Sequence, residues 1–324
     1  MRWLLLFASL PPLCAQFHLY ACMTVTREYV VGAPLPPSGL FVESAGGQWQ
    51  HAGFAHPFIF SLDYDTADPS IVYLAAGNGL IRASEHGGKW KFLTGGDVTE
   101  LRDVSVDRDG TIYFAHSHGI RMSRDRGASW EEIGATLHRK FTAALHVDRN
   151  HTGTLVAGGE EGIFRTEDRG RTWRIAGAAG FQITRIEQSP HDPCEWAAAT
   201  QAGGVFLSHD CAKTFENTGR IGVGATLYDL AFDPLQANRI AVAGWGPGIA
   251  ISEDGGKTWQ ARNSGLPLPE VVAVIFDPTV RGRIYASVRD DGLYVSNDVG
   301  RSWSKQGLDG SFVNRMKFIP AAAK

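Results

Sequence analysis

The sequence has no long hydrophobic run and no cluster of basic residues. A membrane-spanning helix needs roughly 18 consecutive apolar residues, and no run in the chain reaches that length, so we expect no transmembrane segment. The 34 acidic residues slightly outnumber the 31 basic ones, which gives a formal charge of −3. Without a basic patch we expect no nucleic-acid partner. The 324 residues, 44% of them hydrophobic and 38 of them glycine, are compatible with a single all-β domain.

A turn motif that ends on an aromatic residue recurs along the chain. Four copies fit Ser/Thr-x-Asp-x-Gly-x-Ser/Thr-Trp, at residues 123–130, 166–173, 252–259 and 296–303. A fifth, at 208–215, has Ala212 and Phe215 in place of the Gly and the Trp, and weaker copies end at Trp90 and Trp49. The closing aromatics, at positions 49, 90, 130, 173, 215, 259 and 303, lie 40 to 44 residues apart. This regular spacing indicates a structural repeat of that length.

The residue types of the motif favour a structural role. An Asp and a Ser or Thr can hydrogen-bond the backbone of a tight turn, Gly supplies a positive φ, and a Trp can cover the neighbouring sheet. A set present in every repeat would not carry out chemistry in each of them. We therefore predict structural positions for Asp125, Trp130, Asp168, Trp173, Asp210, Phe215, Asp254, Trp259, Asp298 and Trp303.

The segments between the turns predict four strands per repeat. Short β-branched runs alternate with Asp-Pro, Gly and Asn turn signals, as in Val271–Phe276 and Arg283–Val288, which is typical of antiparallel strands. Four-stranded units of this length arranged radially form a β-propeller. We predict an all-β, seven-bladed β-propeller of four-stranded antiparallel blades, with six blades at about residues 58–95, 100–135, 141–177, 182–218, 226–262 and 270–306.

The seventh blade is expected to combine both ends of the chain. Residues 29–52, with Tyr29–Val31 and Gly39–Val42 as outer strands, would join a C-terminal strand at 312–319 and close the ring without an exposed edge. The competing interpretation starts the first blade at Phe17–Tyr20 and leaves the C-terminal strand spare. In the first interpretation residues 16–28 form a connecting segment and residues 29–324 form the propeller.

The repeated motif resembles the Asp-box, or bacterial neuraminidase repeat, of the sialidase-like propeller superfamily. The resemblance extends from about Tyr29 to Ile319, and it is closer to propellers of the photosystem II assembly factor, sortilin and xyloglucanase types than to true sialidases. Sialidases carry a Phe/Tyr-Arg-Ile-Pro segment before the first box, whereas here Phe318-Ile-Pro320 lies at the other end without the Arg. Sialidases also have six blades, and xyloglucanase-type enzymes resemble two facing propellers. Sialidase activity is therefore not expected.

The N-terminal residues have the features of an export signal. Met1-Arg2 precedes the apolar run Trp3–Leu10, and Ala15 ends a passable cleavage site. Residues 1–15 would then be removed and the protein exported to the periplasm or the extracellular space. Alternatively, Met23 is the true start and the protein is cytoplasmic.

Two of the four cysteines are expected to meet. Cys194 follows the first strand of its blade and Cys211 lies in the Asp-box of the same blade, so both turns belong to the same end of the sheet. A disulfide between them would offset the missing Gly and Trp of that box. Two free thiols in a reducing compartment are the alternative.

Variable polar residues are expected on the face opposite the Asp-boxes. There they would surround a central pocket suited to a polar ligand, and Trp245 would offer a flat surface to a sugar ring or an aromatic group. The predicted ligand-binding residues are His56, His116, His118, Glu160, Trp245, Arg289 and Asp290. We expect a monomeric, non-catalytic propeller without a cofactor that binds a glycan, peptide or protein partner on this face.

The alternative function is that of a glycoside hydrolase in the same pocket. Glycosidases place two carboxyl groups at roughly 5 Å or 6.5–9.5 Å from each other, and the candidates are Glu160, Glu161, Asp290 and Asp291. His116 and His118 are also candidate metal ligands, because strand alternation points both rings to one side. A third ligand would have to come from another blade, for example His56 or His138, so no metal site is predicted.

Overall fold

A computed structural model describes residues 16–27, 37–44, 47–134, 137, 141–267 and 270–321. Over these ranges the regular structure consists of 26 β-strands and one short 3-10 turn, Glu85–Gly87. The strands form five four-stranded sheets and one six-stranded sheet, and all pairings between them are antiparallel. The chain is therefore all-β.

One sheet contains strands from both ends of the chain. Its order is β26-β1-β2-β3, with β1 at Phe17–Val25, β2 at Gly39–Ser44, β3 at Gln48–Ala52 and β26 at Ser311–Pro320. β1 pairs with β26 from Phe17↔Pro320 to Val25↔Ser311. The interpretation of residues 16–28 as a connecting segment is therefore wrong, and so is the alternative that leaves the C-terminal strand spare. The predicted strand Tyr29–Val31 lies outside the described residues.

The physical reason for the correction is the burial of β1 on both faces. Tyr20 and Cys22 pack in one apolar cluster, whereas Leu19, Ala21 and Met23 pack in the next. A strand that is buried on both faces has a nearly continuous apolar sequence. Next to an apolar N-terminus, such a run is hard to distinguish from the end of an export signal.

Four further sheets each consist of four strands that are consecutive along the chain. Their strands are β4 Ile59–Tyr64, β5 Val72–Ala76, β6 Gly79–Ser84 and β7 Lys89–Phe92; β8 Asp103–Val106, β9 Ile112–His116, β10 Gly119–Ser123 and β11 Glu131–Glu132; β12 Thr142–Val147, β13 Leu155–Gly159, β14 Gly162–Thr166 and β15 Arg174–Gly177; and β22 Val271–Phe276, β23 Ile284–Val288, β24 Gly292–Ser296 and β25 Ser304–Gly307.

The six-stranded sheet contains two long strands that change partners along their length. Its order is β16 Ile183–Gln188, β17 Trp196–Ser208, β18 Glu216–Phe232, β19 Ile240–Gly244, β20 Gly248–Ser252 and β21 Gln260–Ala261. The first part of β17 pairs with β16 and the rest with β18. The first part of β18 pairs with β17, and the rest pairs with β19, starting where Leu227 lies opposite Gly244. Different segments of each long strand therefore pair with different neighbours.

The innermost strands surround a common axis. β4, β8, β12, β16, β18, β22 and β26 each contact the next in this order, and β26 in turn contacts β4. Carboxylates link neighbouring sheets: Asp63 accepts a hydrogen bond from the Val106 N–H (2.8 Å) and Asp103 one from the Leu145 N–H (2.9 Å). Apolar clusters fill the space between adjacent sheets, and one of them contains the fully buried Trp196. The sheets are thus arranged radially.

The Asp-box turns share one set of hydrogen bonds. In the box at 123–130, Ser123 Oγ accepts from the Gly127 N–H (2.7 Å), and Asp125 accepts from the N–H (2.8 Å) and hydroxyl (2.5 Å) of Ser129. The hydroxyl and N–H of Ser129 lower the pKa of Asp125 to about 2. Equivalent bonds lower the pKa of Asp168, Asp254 and Asp298 to about 2.

The two ends of the sheets can be told apart by these turns. We call the end with turns 124–129, 167–172, 209–214, 253–258 and 297–302 the box face. The turns between the first and second strands of a sheet also lie on the box face, because they are hydrogen-bonded to the box turns. The Arg169 N–H donates to Gly153 O (2.9 Å), and the Val299 N–H donates to Gly282 O (2.9 Å). The other end, with turns 77–78, 117–118, 160–161, 245–247 and 289–291, is the far face.

Candidate functional site

Two predicted ligand-binding residues, Trp245 and Arg289, lie in one patch on the far face. Trp245 is at the tip of the β19–β20 turn and is 61% exposed. Its backbone forms a bridge with Glu270, and the Glu270 carboxylate accepts a hydrogen bond from Arg289 Nε. The turns of two neighbouring sheets are therefore joined at this point.

Aromatic rings hold the Arg289 side chain in place. Its guanidinium lies over the Tyr228 ring, 5.7 Å from the centroid, and over the Phe312 ring at 5.3 Å. The cation–π contacts and the ion pair fix this side chain, yet about a third of it (34%) stays exposed. Tyr228, Trp245, Glu270, Arg289 and Phe312 together form what we call the far-face patch. Asp290, at the adjacent tip, has a positive φ of 58°.

The other predicted ligand-binding residues lie at the far ends of other sheets. His56 is buried and its Nε2 is 2.7 Å from Asn78 Oδ1. His116 is buried with Nε2 3.7 Å from Glu132 Oε1, and burial lowers its pKa. His118 Nδ1 is 2.8 Å from Ser117 Oγ. Glu160 is in the β13–β14 turn. These four residues are thus spread over three sheets and do not join the far-face patch.

The predicted metal ligands do not form a three-ligand cluster. The rings of His116 and His118 are 6.0 Å apart, centroid to centroid. Over the described ranges no group of three His, Cys, Asp or Glu side chains is placed to hold a metal ion. His138 lies outside those ranges.

The four candidate carboxylates belong to two separate turns. Glu160 and Glu161 join β13 to β14, whereas Asp290 and Asp291 join β23 to β24. Asp291 accepts a hydrogen bond from the Tyr294 hydroxyl and lies 3.4 Å from Lys305 Nζ. The two turns are on different sheets.

A cavity of about 400 Å³ lies on the axis and is lined by all seven innermost strands. Its outer lining includes Thr66, Arg108, Arg149 and Pro190, which follow the last residues of these strands, so the cavity opens on the box face. This cavity thus opens on the face opposite to the one where a central pocket was expected, and the predicted ligand-binding residues do not line it.

Side chains occupy the far end of the same axis. The Arg102 guanidinium, at the start of β8, lies over the rings of Phe60 (5.2 Å) and Phe141 (5.7 Å). Arg289 lies between Tyr228 and Phe312 in the same way. These stacks explain why the space around the axis is found towards the box face.

The floor of this axial cavity is a buried charged cluster. Asp229 Oδ1 lies 3.2 Å from Arg185 Nε and 3.1 Å from Arg315 Nη1, and Asp229 Oδ2 accepts from the Val274 N–H (3.0 Å). Arg185 also donates to Glu187, whose other oxygen is 3.5 Å from His146 Nε2. Although burial opposes it, the Arg185 charge lowers the pKa of Glu187. Burial raises the pKa of Asp229, and both guanidiniums oppose that shift.

The rim of the cavity is aromatic and basic. Phe17, Tyr64, Phe232, Phe276 and Phe318 contribute rings, and Arg108, Arg149 and Lys317 contribute positive charge. Lys317 pairs with Asp63, whereas Arg108 and Arg149 are exposed. The lining thus combines a charged floor with a partly apolar entrance, a combination typical of binding sites for organic ligands.

Comparisons with known proteins bear on the family and the fold. A family model described as BNR/Asp-box repeat matches residues 250–261. The chain is similar in structure to the GH74 enzyme of Niastella koreensis, with a TM-score of 0.71 and 16% identity over 90% of this chain and 52% of that one. A GH74 xyloglucanase from Xanthomonas campestris has a TM-score of 0.64 and 17% identity over 79% of this chain and 46% of that one. The structure described as "YCF48 bound to D1 peptide" has a TM-score of 0.60 and 17% identity over 82% of this chain and 93% of that one. A search of curated proteins found no match.

The chain thus contains an Asp-box repeat and has the fold of the propellers to which it is similar. At 16–17% identity the likeness to the solved structures shows the fold alone. The chain spans about half the length of the GH74 chains (52% and 46%) and nearly all of the YCF48 chain (93%). None of these three structures is named as a sialidase, which agrees with the resemblance drawn from the sequence motifs.

Sequence analysis missed the floor of the axial cavity. Arg185, Asp229 and Arg315 stand in three strands of mixed polar and apolar sequence, and they are far apart in the chain. The available signal was a charged residue inside a first strand in several repeats. Because each of these residues also fits the alternation of a half-exposed strand, the pattern alone did not show that they meet at the axis.

A disulfide joins Cys194 and Cys211 in the structure, 17 residues apart in the sequence. The Cys211 N–H also bonds Cys194 O (3.0 Å). Cys211 and Ala212 both have positive φ, 63° and 59°, where the other boxes have a glycine at the second position. The crosslink therefore lies in the box with the least favourable turn residues. Cys22 is a buried free thiol.

Proposed function

We propose that the chain is a non-catalytic, seven-bladed propeller that binds a glycan, peptide or protein partner on its far face. The observation that carries the proposal is the far-face patch: Trp245 is 61% exposed beside a guanidinium held between two aromatic rings. An exposed tryptophan in rigid surroundings is a frequent anchor in binding sites.

The contacts of the innermost strands support the seven-bladed ring. The seven strands contact one another in cyclic order, with β26 next to both β22 and β4. The long strands β17 and β18 each contribute two successive positions to their sheet. Counted in this way, the six-stranded sheet provides two blades, and the sheet of β26, β1, β2 and β3 closes the ring.

The chemistry of the patch suits a ligand with one apolar face and several hydroxyl or amide groups. The Trp245 ring can stack against the C–H face of a sugar or against a side chain. Arg289 presents donors in a fixed orientation, while Glu270 and Asp290 supply acceptors. Because Arg289 is already held by Tyr228, Phe312 and Glu270, little conformational entropy is lost when a ligand binds.

The partners of the carboxylates favour binding over hydrolysis. Asp291 accepts a hydrogen bond from Tyr294, and Glu270 accepts one from Arg289. A glycosidase needs one carboxyl group to give a proton while a second one faces the same sugar. The YCF48 structure with a D1 peptide shows that this fold is compatible with peptide binding.

We also propose that the protein is exported, with cleavage after Ala15 leaving Gln16 ahead of β1. The argument against a start at Met23 is that Phe17–Cys22 supply six of the nine residues of β1. The disulfide between Cys194 and Cys211 agrees with an oxidising compartment.

Glycan-array binding combined with an assay for new reducing ends tests the proposed function. We expect binding without release of sugar, and we expect Trp245→Ala to weaken it by about 2 kcal/mol, roughly 30-fold in affinity, as for an anchor residue. Ile175→Ala is the matched control, because Ile175 is similarly exposed (58%) on the outer strand β15. If no glycan binds, the same two variants are compared in a peptide-library screen.

Three results would contradict the proposal. Sugar release that Asp290→Asn or Glu160→Gln abolishes would establish a hydrolase. Binding that Trp245→Ala and Ile175→Ala reduce equally would place the ligand elsewhere. No binding of either class of ligand would remove the support for a glycan or peptide partner.

A further inference from the structure

The axial cavity contains a guanidinium that its protein partners do not satisfy. Arg315 is only 8% exposed and lines the cavity. Its Nη1 bonds Asp229, but its buried Nε has no hydrogen-bond acceptor among the residues that the structure describes. A buried donor without a partner is costly, and native structures contain few of them.

Arg185 does not relieve this deficit. Arg185 and Arg315 approach the same oxygen, Asp229 Oδ1, at 3.2 and 3.1 Å. Arg185 has Glu187 as a second partner, so its charge is compensated. Burial alone would lower the pKa of Arg185, but the neighbouring carboxylates raise it. Burial and the neighbouring Arg185 charge lower the pKa of Arg315. The Nε atoms of both arginines lack an acceptor in the described chain, but Arg185 has two carboxylate partners and Arg315 has one, so Arg315 is the less compensated of the two.

The nearby carboxylates are committed to other groups. Asp103 accepts from the Ser61 hydroxyl and from the N–H groups of Val104 and Leu145. Asp63 accepts from the Val106 N–H and pairs with Lys317. None of these side chains bonds Arg315. An oxyanion in the cavity could pair with the Arg315 guanidinium, which lines it, and guanidinium–oxyanion bonds are among the strongest hydrogen bonds in proteins.

The charge of the lining agrees with an anionic ligand. Five basic side chains (Arg108, Arg149, Arg185, Arg315 and Lys317) face four acidic ones (Asp63, Asp103, Glu187 and Asp229), although the whole chain has a formal charge of −3. The aromatic rim above this floor would contact an apolar ligand body. A bare inorganic ion would leave these rings unused.

We propose that the axial cavity is a second binding site, open on the box face, for a small organic oxyanion with an apolar or aromatic body. The oxyanion group binds at Arg315, and the apolar body rests against Phe17, Phe318 and the other rings of the rim. This site is separate from the far-face patch and does not depend on the proposed function.

Calorimetry on the intact protein with a matched pair of probes tests the site. N-acetylphenylalanine carries the carboxylate and the ring, and its amide carries the ring alone. We expect the acid to bind with a stoichiometry of one and the amide to bind at least about tenfold more weakly, which is the loss expected for a charge-assisted bond. Sodium phosphate is the third probe and should bind more weakly than the acid, because it cannot contact the aromatic rim.

Two variants locate the bound acid. Arg315→Gln should weaken acid binding by at least about tenfold, whereas Arg239→Gln should not change it. Arg239 is the matched control: it pairs with Asp233 (2.8 Å), its Nε is also buried without an acceptor in the described chain, and it does not line the cavity. Trp245→Ala should leave acid binding unchanged, which separates this site from the far-face patch.

The comparison of the acid with its amide uses the wild-type protein, so it remains valid even if Arg315→Gln fails to fold. Equal affinity for the acid and the amide would overturn the oxyanion subsite, and so would the absence of saturable binding. Phosphate binding as tightly as the acid would overturn the role assigned to the rim. Acid binding that Arg239→Gln reduces as much as Arg315→Gln does would overturn the assignment to the cavity floor.

Discussion

At the scale of single residues, the tryptophans of the Asp-boxes connect neighbouring sheets through their indole N–H groups. Trp130 Nε1 donates to Leu93 O (3.0 Å), Trp173 to Ile133 O (2.9 Å) and Trp303 to Arg262 O (2.7 Å), and each acceptor belongs to the preceding sheet. Trp259 instead bonds Gly256 O within its own turn (3.1 Å). A half-buried Trp thus contributes both apolar area and a directed bond between sheets.

Trp173→Phe should therefore lower the free energy of unfolding by about 1 kcal/mol, because the ring is kept while the bond to Ile133 O is lost. Trp245→Phe is the control and should change it by less than about 0.5 kcal/mol, since Trp245 is a surface residue. Urea denaturation of both variants measures the difference. Equal stability of Trp173→Phe and the wild type would mean that the indole bond does not stabilise the contact between sheets.

At the scale of elements, β1 is where sequence and structure disagree most. Leu19, Tyr20, Ala21 and Cys22 are each no more than 1% exposed, and the strand pairs with both β26 and β2. Nothing in a local apolar run reveals that its partner is more than 290 residues away. Trp245 and Arg289 were easier to place on the far face, because turn signals mark their positions directly.

A chain that begins at Met23 should fail to fold stably, whereas one that begins at Gln16 should fold. Each large side chain buried in β1 contributes roughly 1.5–3 kcal/mol, and a domain's total stability is only about 5–15 kcal/mol. Thermal unfolding followed by circular dichroism compares the two chains. A cooperative transition at the same temperature in both would show that β1 is dispensable and would restore Met23 as a plausible start.

At the scale of the whole molecule, the repeat period predicted the all-β class. Periodicity works because each box recurs at one position in its sheet, so the Asp-box spacing reports the sheet spacing. It could not predict the axial cavity, since Arg185, Asp229 and Arg315 come from three different strands, β16, β18 and β26, and meet only after the sheets are arranged around the axis. The space near the axis therefore depends on side chains that no local window contains.

Acid should destabilise the folded protein by protonating the aspartates of its Asp-boxes. The carboxyl groups of Asp125, Asp168, Asp254 and Asp298 have a pKa of about 2 in the folded protein, against roughly 3.9 in an unfolded chain. Their stabilising effect is thus present above about pH 4 and is lost as the pH falls towards 2. The free energy of unfolding, measured with urea across this range, should fall accordingly.

Asp168→Asn provides the control for the acid prediction. The variant should be less stable than the wild type at pH 7, and the gap between the two should narrow between about pH 4 and pH 2, because only the wild type loses the Asp168 charge. A gap that stays constant over this range would show that the Asp168 carboxylate does not contribute to the acid sensitivity.

The pairing of β1 with β26 also determines from which face the two ends of the described chain leave the fold. The Ala321 N–H bonds Gln16 O (2.7 Å), and Phe17 and Phe318 line the axial cavity, so both ends of the described chain leave from the box face. A tether, a solid support or a fused domain attached at either end would therefore stand over the cavity entrance and leave the far-face patch turned outwards. Immobilisation through a terminus should then preserve capture by Trp245 while obstructing small molecules on their way to Arg315.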